Sequence, residues 1–311
     1  MENTECLVKE LYCCEYEVNM VATHPVCFEA WVGAIVRNNI VYHLERHIDS
    51  CPLLKGGFPK GYVLTNFSHF SLDNDIIYLN KGQYFSFSLI LIGVLNEYFS
   101  LFEEALQQMC VIGFGKNPQT SKPTKVGFTD LNITKGDTFY WTNSLSFEKA
   151  KEDTFYQNKK TIGLKIKFLT PTQLVRIGKL TRKETPLGSQ AKANCFPSLY
   201  QIVHTAVCRL QNLYNIYINK RIEQISAVDD NFMRNAAFAQ LQSADLQFIK
   251  LKNTLKKETK NEQPLRGFIG EQIYEGYLQD YIPILQFMSK LGIGNETAYG
   301  LGNFEIEIVE K

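Results

Sequence analysis

Four glycines, Gly292, Gly294, Gly300 and Gly302, fall within eleven positions of the stretch LGIGNETAYGLGN, Leu291 to Asn303. No other stretch restricts the backbone so strongly. Ahead of it, Asp280 is placed to cap a helix with Pro283 in its first turn, and Ile282, Leu285, Met288 and Leu291 recur at helical spacing. Behind it, Phe304, Ile306 and Ile308 alternate with Asn303, Glu305 and Glu307, the period of a half-buried strand. The order is helix, glycine-rich loop, final strand. Glycine tolerates positive φ and has no side chain, so such a loop lets backbone N–H groups approach a phosphate or a base; the same run also suits a tightly packed turn. Two phosphate-binding patterns are excluded. The loop holds no Walker lysine followed by Ser or Thr, and glycines placed after a helix and before a strand reverse a dinucleotide fingerprint.

A chain of 311 residues can bury a sizeable core and is long enough for two domains. Its 45% hydrophobic and 21% charged content is that of an ordinary globular protein. The longest apolar run, Phe85 to Leu95, contains two serines and stops before Glu97, too short for a bilayer and suited to a buried strand. The opening residues MENTECLVKELYCCEY lack the basic-then-apolar pattern of a signal peptide. The expectation is a cytoplasmic protein without a membrane partner. Eight cysteines, at 6, 13, 14, 27, 51, 110, 195 and 208, form no C-x-x-C pair, so they read as small core residues and no metal or other cofactor is expected. Net charge is only +1, but Lys159 to Lys192 holds nine basic residues against the single acid Glu184. That run, with Lys165, Lys167, Arg176 and Lys179 at its centre, is a candidate phosphate track or else a solvated strand face.

Along the chain, Leu7 to Val18 reads as a strand and Glu29 to Ile48 as a helix, with Val32, Val36, Ile40, Leu44 and Ile48 on one stripe. Tyr62 to Phe70 and Gln83 to Ile92 read as antiparallel strands, Glu97 to Val111 as a helix, and Val126 to Ile133 as a fourth strand. This βαββαβ order is ferredoxin-like. GFGK at 113–116 parallels GIGN at 292–295, each after the second helix of its unit, as in a degenerate internal repeat. The first domain spans 1–136, a connection 137–160, and the second domain 161–311. Within the second, Thr161 to Leu169 is a strand, Ser198 to Tyr217 a helix, and the charged segment of about 220–261 a helical insertion.

The segment RGFIGEQIYEGYLQDYIPILQFMSKLGIGNETAYGLGNFEI resembles the C-terminal domain of the CRISPR precursor-RNA processing endoribonucleases of the RAMP superfamily. Gly267, Phe268 and Gly270 fit that family's Gly-Phe-x-Gly strand, and Gly292, Gly294, Gly300 and Gly302 fit its G-x-G, G-x-G loop. The resemblance implies an α+β chain of two tandem ferredoxin-like (RRM-like) domains. CRISPR repeat RNA would bind along the cleft between them, with other CRISPR effector subunits as further partners. It also implies metal-free cleavage within the repeat, or, as the alternative, a non-catalytic subunit that only holds crRNA. Gly33 and Arg37 lie in the stretch comparable to the family's first-helix Gly or Arg-Gly, and the loop, with Thr297 and the flanking Lys290, is the implied RNA contact. The family's basic residue within this loop is replaced here by Asn295 and Glu296.

The resemblance also implies a proton-transferring histidine in or just after the first helix, facing the loop. His43 and His47 lie four apart there, beside Tyr42 and Arg46. Histidine suits either proton-transfer role because it titrates near neutral pH. His47, at the helix end, is the leading catalytic candidate, His43 the second and Tyr42 an auxiliary; helix-end surface histidines are the plain alternative. H-x-x-x-H without a glutamate or third ligand does not read as a zinc site.

Overall fold

The computed structural model describes residues 11–28, 31–47, 61–68, 77–120, 125–141, 161–174, 196–217, 230–251 and 265–309. The first unit runs β1 (Leu11–Ala22), β2 (Val26–Phe28), α1 (Val32–Leu44), β3 (Tyr62–Thr65), β4 (Ile77–Leu79), β5 (Tyr84–Ile92), α2 (Phe99–Ile112) and β6 (Phe128–Trp141). The second runs β7 (Ile162–Thr172), α3 (Leu199–Tyr217), α4 (Asp230–Ala237), β8 (Gln240–Leu251), β9 (Leu265–Gly276), α5 (Ile282–Leu291) and β10 (Phe304–Val309). The sheets have the orders β3-β5-β1-β6 and β10-β7-β9-β8, with every neighbour antiparallel, while β2 and β4 form a small ribbon beside the first. In each unit the last strand joins the first, the first the third, and the third the second. The architecture is therefore two tandem ferredoxin-like units.

Periodicity accounts for the helices. Val32, Val36, Ile40 and Leu44 of α1 are all buried, as are Leu199, Ile202, Val203, Ala206, Leu210 and Leu213 of α3. The alternation of Leu164, Ile166 and Phe168, buried, with Lys165 and Lys167, facing outward, seats β7 on its helices. The repeat is visible in the backbone. Gly113 closes α2 at φ 82°, ψ 161°, and Gly292 closes α5 at φ 70°, ψ 163°; the buried residue after each, Phe114 or Ile293, donates its amide to a carbonyl further along its own unit.

Three expectations are corrected. Residues 240–251, read as part of a helical insertion, form β8, because their ladder to β9 supplies every second residue with a partner and outweighs the helix-prone composition; among the described residues of that segment, 230–251, α4 is the helical part. Asp280 lies in the 3-10 turn Gln279–Tyr281 ahead of α5, and Tyr281 occupies the cap position, with Pro283 in the first turn as expected. β6 continues to Trp141, into the stretch read as connection, because Phe139 and Trp141 pack on Phe287 of α5, at 5.7 and 5.3 Å between ring centroids. That contact, with the Tyr214 hydroxyl donating to the Trp141 carbonyl at 3.2 Å, joins the two units through one continuous apolar core. Among the described cysteines, Cys13, Cys14, Cys27 and Cys110 are buried, and none is bridged. No described helix is long and apolar enough to cross a membrane.

Candidate functional site

The glycine-rich loop sits on the start of α1. Gly33 faces the Tyr299 carbonyl so closely that a Cβ would collide with it, and the Trp31 indole N–H donates to that same carbonyl. One turn on, the Arg37 guanidinium lies 4.8 Å from the Tyr299 ring centroid and donates to its hydroxyl at 3.4 Å, beside the buried Tyr62 phenol. From the other side, the Asn303 amide donates to Thr65 Oγ1 of β3 at 2.6 Å. Trp31, Ala34 and Leu301 then bury Leu251 and Leu265, the facing ends of β8 and β9.

Within the loop the close approaches are made by the protein itself. The amides of Ile293, Asn295 and Gly302 go to the carbonyls of Gly302, Gln173 and Pro171, and that of Asn303 to Thr170 Oγ1. At Gly302 φ is +80° and a Cβ would meet the Ile293 carbonyl, so both conformation and space require glycine. Gly292, Thr297, Gly300 and Gly302 are buried, Gly294 is half-buried, and the exposed tip carries Asn295 and Glu296. Lys290 lies 5.1 Å from the Phe139 ring centroid and 3.9 Å from Asp137, against the first unit.

The histidines stand further along the same helix. His43 is six residues beyond Arg37, roughly 120° around the axis and about 9 Å along it. His47, in the 3-10 turn Glu45–His47 that ends the helix, points to α2: its Nε2 is 3.6 Å from Oε1 of Glu104, an ion pair when the imidazole is protonated. Its side chain is 24% exposed. His43 is only 2% exposed, and its Nδ1 has no hydrogen-bond partner among the described residues. Burial first, then the charges of Arg46 and Lys125, lower its pKa below the usual imidazole value. Tyr42, 52% exposed, lies beside His43 and under Arg46, whose guanidinium is 5.3 Å from its ring centroid. Two of the three candidates thus reach solvent, and one is enclosed.

Enclosure of a neutral His43 has a measurable sign. The unfolded chain takes up this proton near pH 6.5 while the folded chain resists it, so stability falls as pH drops through that window. Thermal midpoints measured from pH 7.5 to 5 should decline in the wild type and decline less steeply in His43→Leu; parallel curves would mean that His43 protonates equally in both states.

The basic residues of β7 face carboxylates. Lys165 Nζ is 2.9 Å from Glu271, and the ladders set Glu307 and Glu305 of β10 opposite Lys165 and Lys167. A charge excess read along the chain is offset across the sheet at these two positions; Arg176 and Lys179 lie outside the described residues, as do His69 and Cys51. His204 stacks on Tyr200, at 6.0 Å between centroids, with Cys208 Sγ 3.7 Å from its ring, and His24 is bonded to the Thr23 hydroxyl. Among the described residues no three His, Cys, Asp or Glu side chains converge as metal ligands. Trp31, Tyr299, Tyr62 and Glu104 escaped the sequence reading, although Trp31, one of only two tryptophans, immediately precedes the apolar stripe of α1.

Residues 166–304, from β7 through the glycine-rich loop into β10, match the family described as CRISPR-associated endoribonuclease Cas6. The second unit is Cas6-like. Two solved assemblies share the fold of the chain: a partial Cas6-RT-Cas1–Cas2 complex, with a TM-score of 0.59 at 13% identity over 98% of this chain and 47% of that one, and a Cas6-RT-Cas1–Cas2 complex, with the same score and identity over 98% and 30%. The chain thus spans less than half the length of either. A Cas6 product complex aligns with a TM-score of 0.54 at 13% identity, over 95% of this chain and 100% of that one. No curated protein matches the sequence. At these identities the likeness is one of fold, and it runs through both units rather than the Cas6-like one alone.

Proposed function

We propose that this chain is an endoribonuclease that cuts precursor CRISPR RNA within its repeats without a metal ion. The observation that carries the reading is the Cas6 match over residues 166–304, whose loop rests on the helix bearing His43 and His47. The ribose 2′-oxygen attacks the adjacent phosphorus as its proton passes to a base; the 5′-oxygen leaves as it takes up a proton, and a 2′,3′-cyclic phosphate remains upstream. His47, half-exposed at the helix end, is the first choice for proton transfer. Tyr42 is the auxiliary, and Arg46 beside it is a cation for the charge that develops on phosphate. His43, enclosed and neutral, is the second choice. Gly292, Gly294, Thr297, Gly300 and Gly302 contribute by shaping the loop that brings Tyr299 onto the helix, and Lys290 by joining α5 to β6.

Cleavage of the cognate repeat should persist in excess EDTA, and a substrate with 2′-deoxyribose at the scissile position should bind without being cut. Loss of cleavage in EDTA with recovery on adding a divalent ion would overturn the metal-free route. The alternative, a crRNA-binding subunit without activity, is favoured by the enclosure of His43 and by the acidic loop tip. A wild-type chain that binds its repeat tightly and never cuts it would decide for that role. Other CRISPR proteins, such as those joined to Cas6 in the structurally similar assemblies, are the partners this reading proposes.

A further inference from the structure

His47 is held between two helices. The 3-10 turn that carries it continues α1, whose Val36, Ile40 and Leu44 are buried, and its ring reaches across to α2, where Nε2 lies 3.6 Å from Oε1 of Glu104. On α2, Glu104 stands between the buried Phe102 and the buried Ala105 and Leu106, so core packing fixes its backbone while its side chain stays half in water. The contact has a direction. Glu104 meets Nε2, and no described residue is bonded to Nδ1, the ring's other nitrogen. The cation next to it in the chain, Arg46, lies over Tyr42, with the guanidinium 5.3 Å from that ring centroid.

A neutral imidazole carries one proton, and a carboxylate beside one ring nitrogen keeps the proton there, leaving the lone pair of the other nitrogen for a substrate. The same carboxylate stabilises the imidazolium that forms once that lone pair has taken a proton. We propose that Glu104 is a positioning residue that gives His47 the part of general base, with Nε2–H directed at Glu104 and Nδ1 receiving the proton of the ribose 2′-hydroxyl. The bond from the 2′-oxygen to phosphorus forms as the bond to the 5′-oxygen breaks; the 2′ proton goes to Nδ1, the leaving oxygen takes one from water, and the imidazolium returns its own to water. At 3.6 Å the pair is an ion-pair contact rather than a hydrogen bond, and catalytic contacts of this length often tighten once substrate is bound. Water screens a half-exposed carboxylate, so its share is small beside that of the ring it serves. The role rests on the RNA-cleaving reading and assigns the proton path within it.

The test uses the full chain and single-turnover cleavage of its cognate repeat at saturating protein. Glu104→Gln, a change of charge at an exposed helix position where both residues suit a helix, should slow cleavage on the order of 10-fold with RNA affinity unchanged. Glu104→Asp, which keeps the charge, should slow it less. In a His47→Ala background Glu104→Gln should have no further effect, because the carboxylate acts only through the ring. A second substrate carries sulfur in place of the scissile 5′-oxygen; a thiolate leaves without being protonated, so loss of a general acid would be masked on it and loss of a general base would not. Glu104→Gln and His47→Ala should stay impaired on that substrate. A wild-type rate for Glu104→Gln, equal slowing with and without His47, or recovery of both variants on the sulfur substrate would overturn this role while leaving cleavage itself established. A wild type that binds its repeat and never cuts it would reject the catalytic reading and this role with it.

Discussion

Replacing His47 by alanine should slow single-turnover cleavage of the cognate repeat by roughly 10² to 10⁴, the range contributed by one general acid or base, while changing RNA affinity little. In barrier height this is about 3–5 kcal/mol. The ring is half-exposed at the end of α1, its Nε2 is 3.6 Å from Glu104, and no apolar packing of the kind that encloses His43 depends on it. Loss of rate through unfolding is therefore not expected, and the thermal midpoint of His47→Ala should stay close to that of wild type. His43→Ala serves as the contrast. Its side chain is enclosed, so its removal should lower stability through a cavity as well as any effect on rate. Should His47→Ala cleave at the wild-type rate while His43→Ala does not, the proton-transfer role belongs to the enclosed ring; unimpaired cleavage by the double variant would remove both from the mechanism.

The second large effect concerns stability. Gly302→Ala places a methyl group against the Ile293 carbonyl and at a φ of +80°, so left-handed strain of about 1–2 kcal/mol adds to an overpacking penalty of about 1–3 kcal/mol. Gly33→Ala meets the Tyr299 carbonyl instead, but from within a helix, where alanine is favoured over glycine by about 1 kcal/mol. Gly302→Ala should therefore be the more destabilising of the two, by denaturant midpoint or thermal melt. Gly33→Ala should chiefly loosen the second unit from the first, seen as faster amide exchange in residues 297–303. A rise in stability for Gly33→Ala would show that helix propensity outweighs the clash, and that the seat of the loop on α1 is softer than its geometry indicates.

Periodicities carried most of the fold. The stripe Val32, Val36, Ile40 and Leu44 and the alternation of Leu164, Ile166 and Phe168 are local records of which face is buried, and both were legible before any tertiary contact was known. β8 was not, because Gln240–Leu251 has only a weak alternation of its own and owes its strand state to the β9 ladder. The glycine-rich loop lies between these cases. Its position between helix and strand and its need for positive φ were plain from the residues; what approaches those glycines was not.

The chain by itself determined the order of the principal helices and strands other than β8, the two-unit repeat and the helix that carries the histidines, since sterics and burial act on neighbouring residues and leave a period in the sequence. Tertiary structure alone decided that Gly33 meets Tyr299, that Asn303 bonds Thr65 238 residues away, that Lys165 is paired by Glu271, and that of two histidines one turn apart His43 is enclosed while His47 reaches Glu104. Those contacts join residues distant in sequence. Their energies depend on the packing of whole units, which no local pattern records.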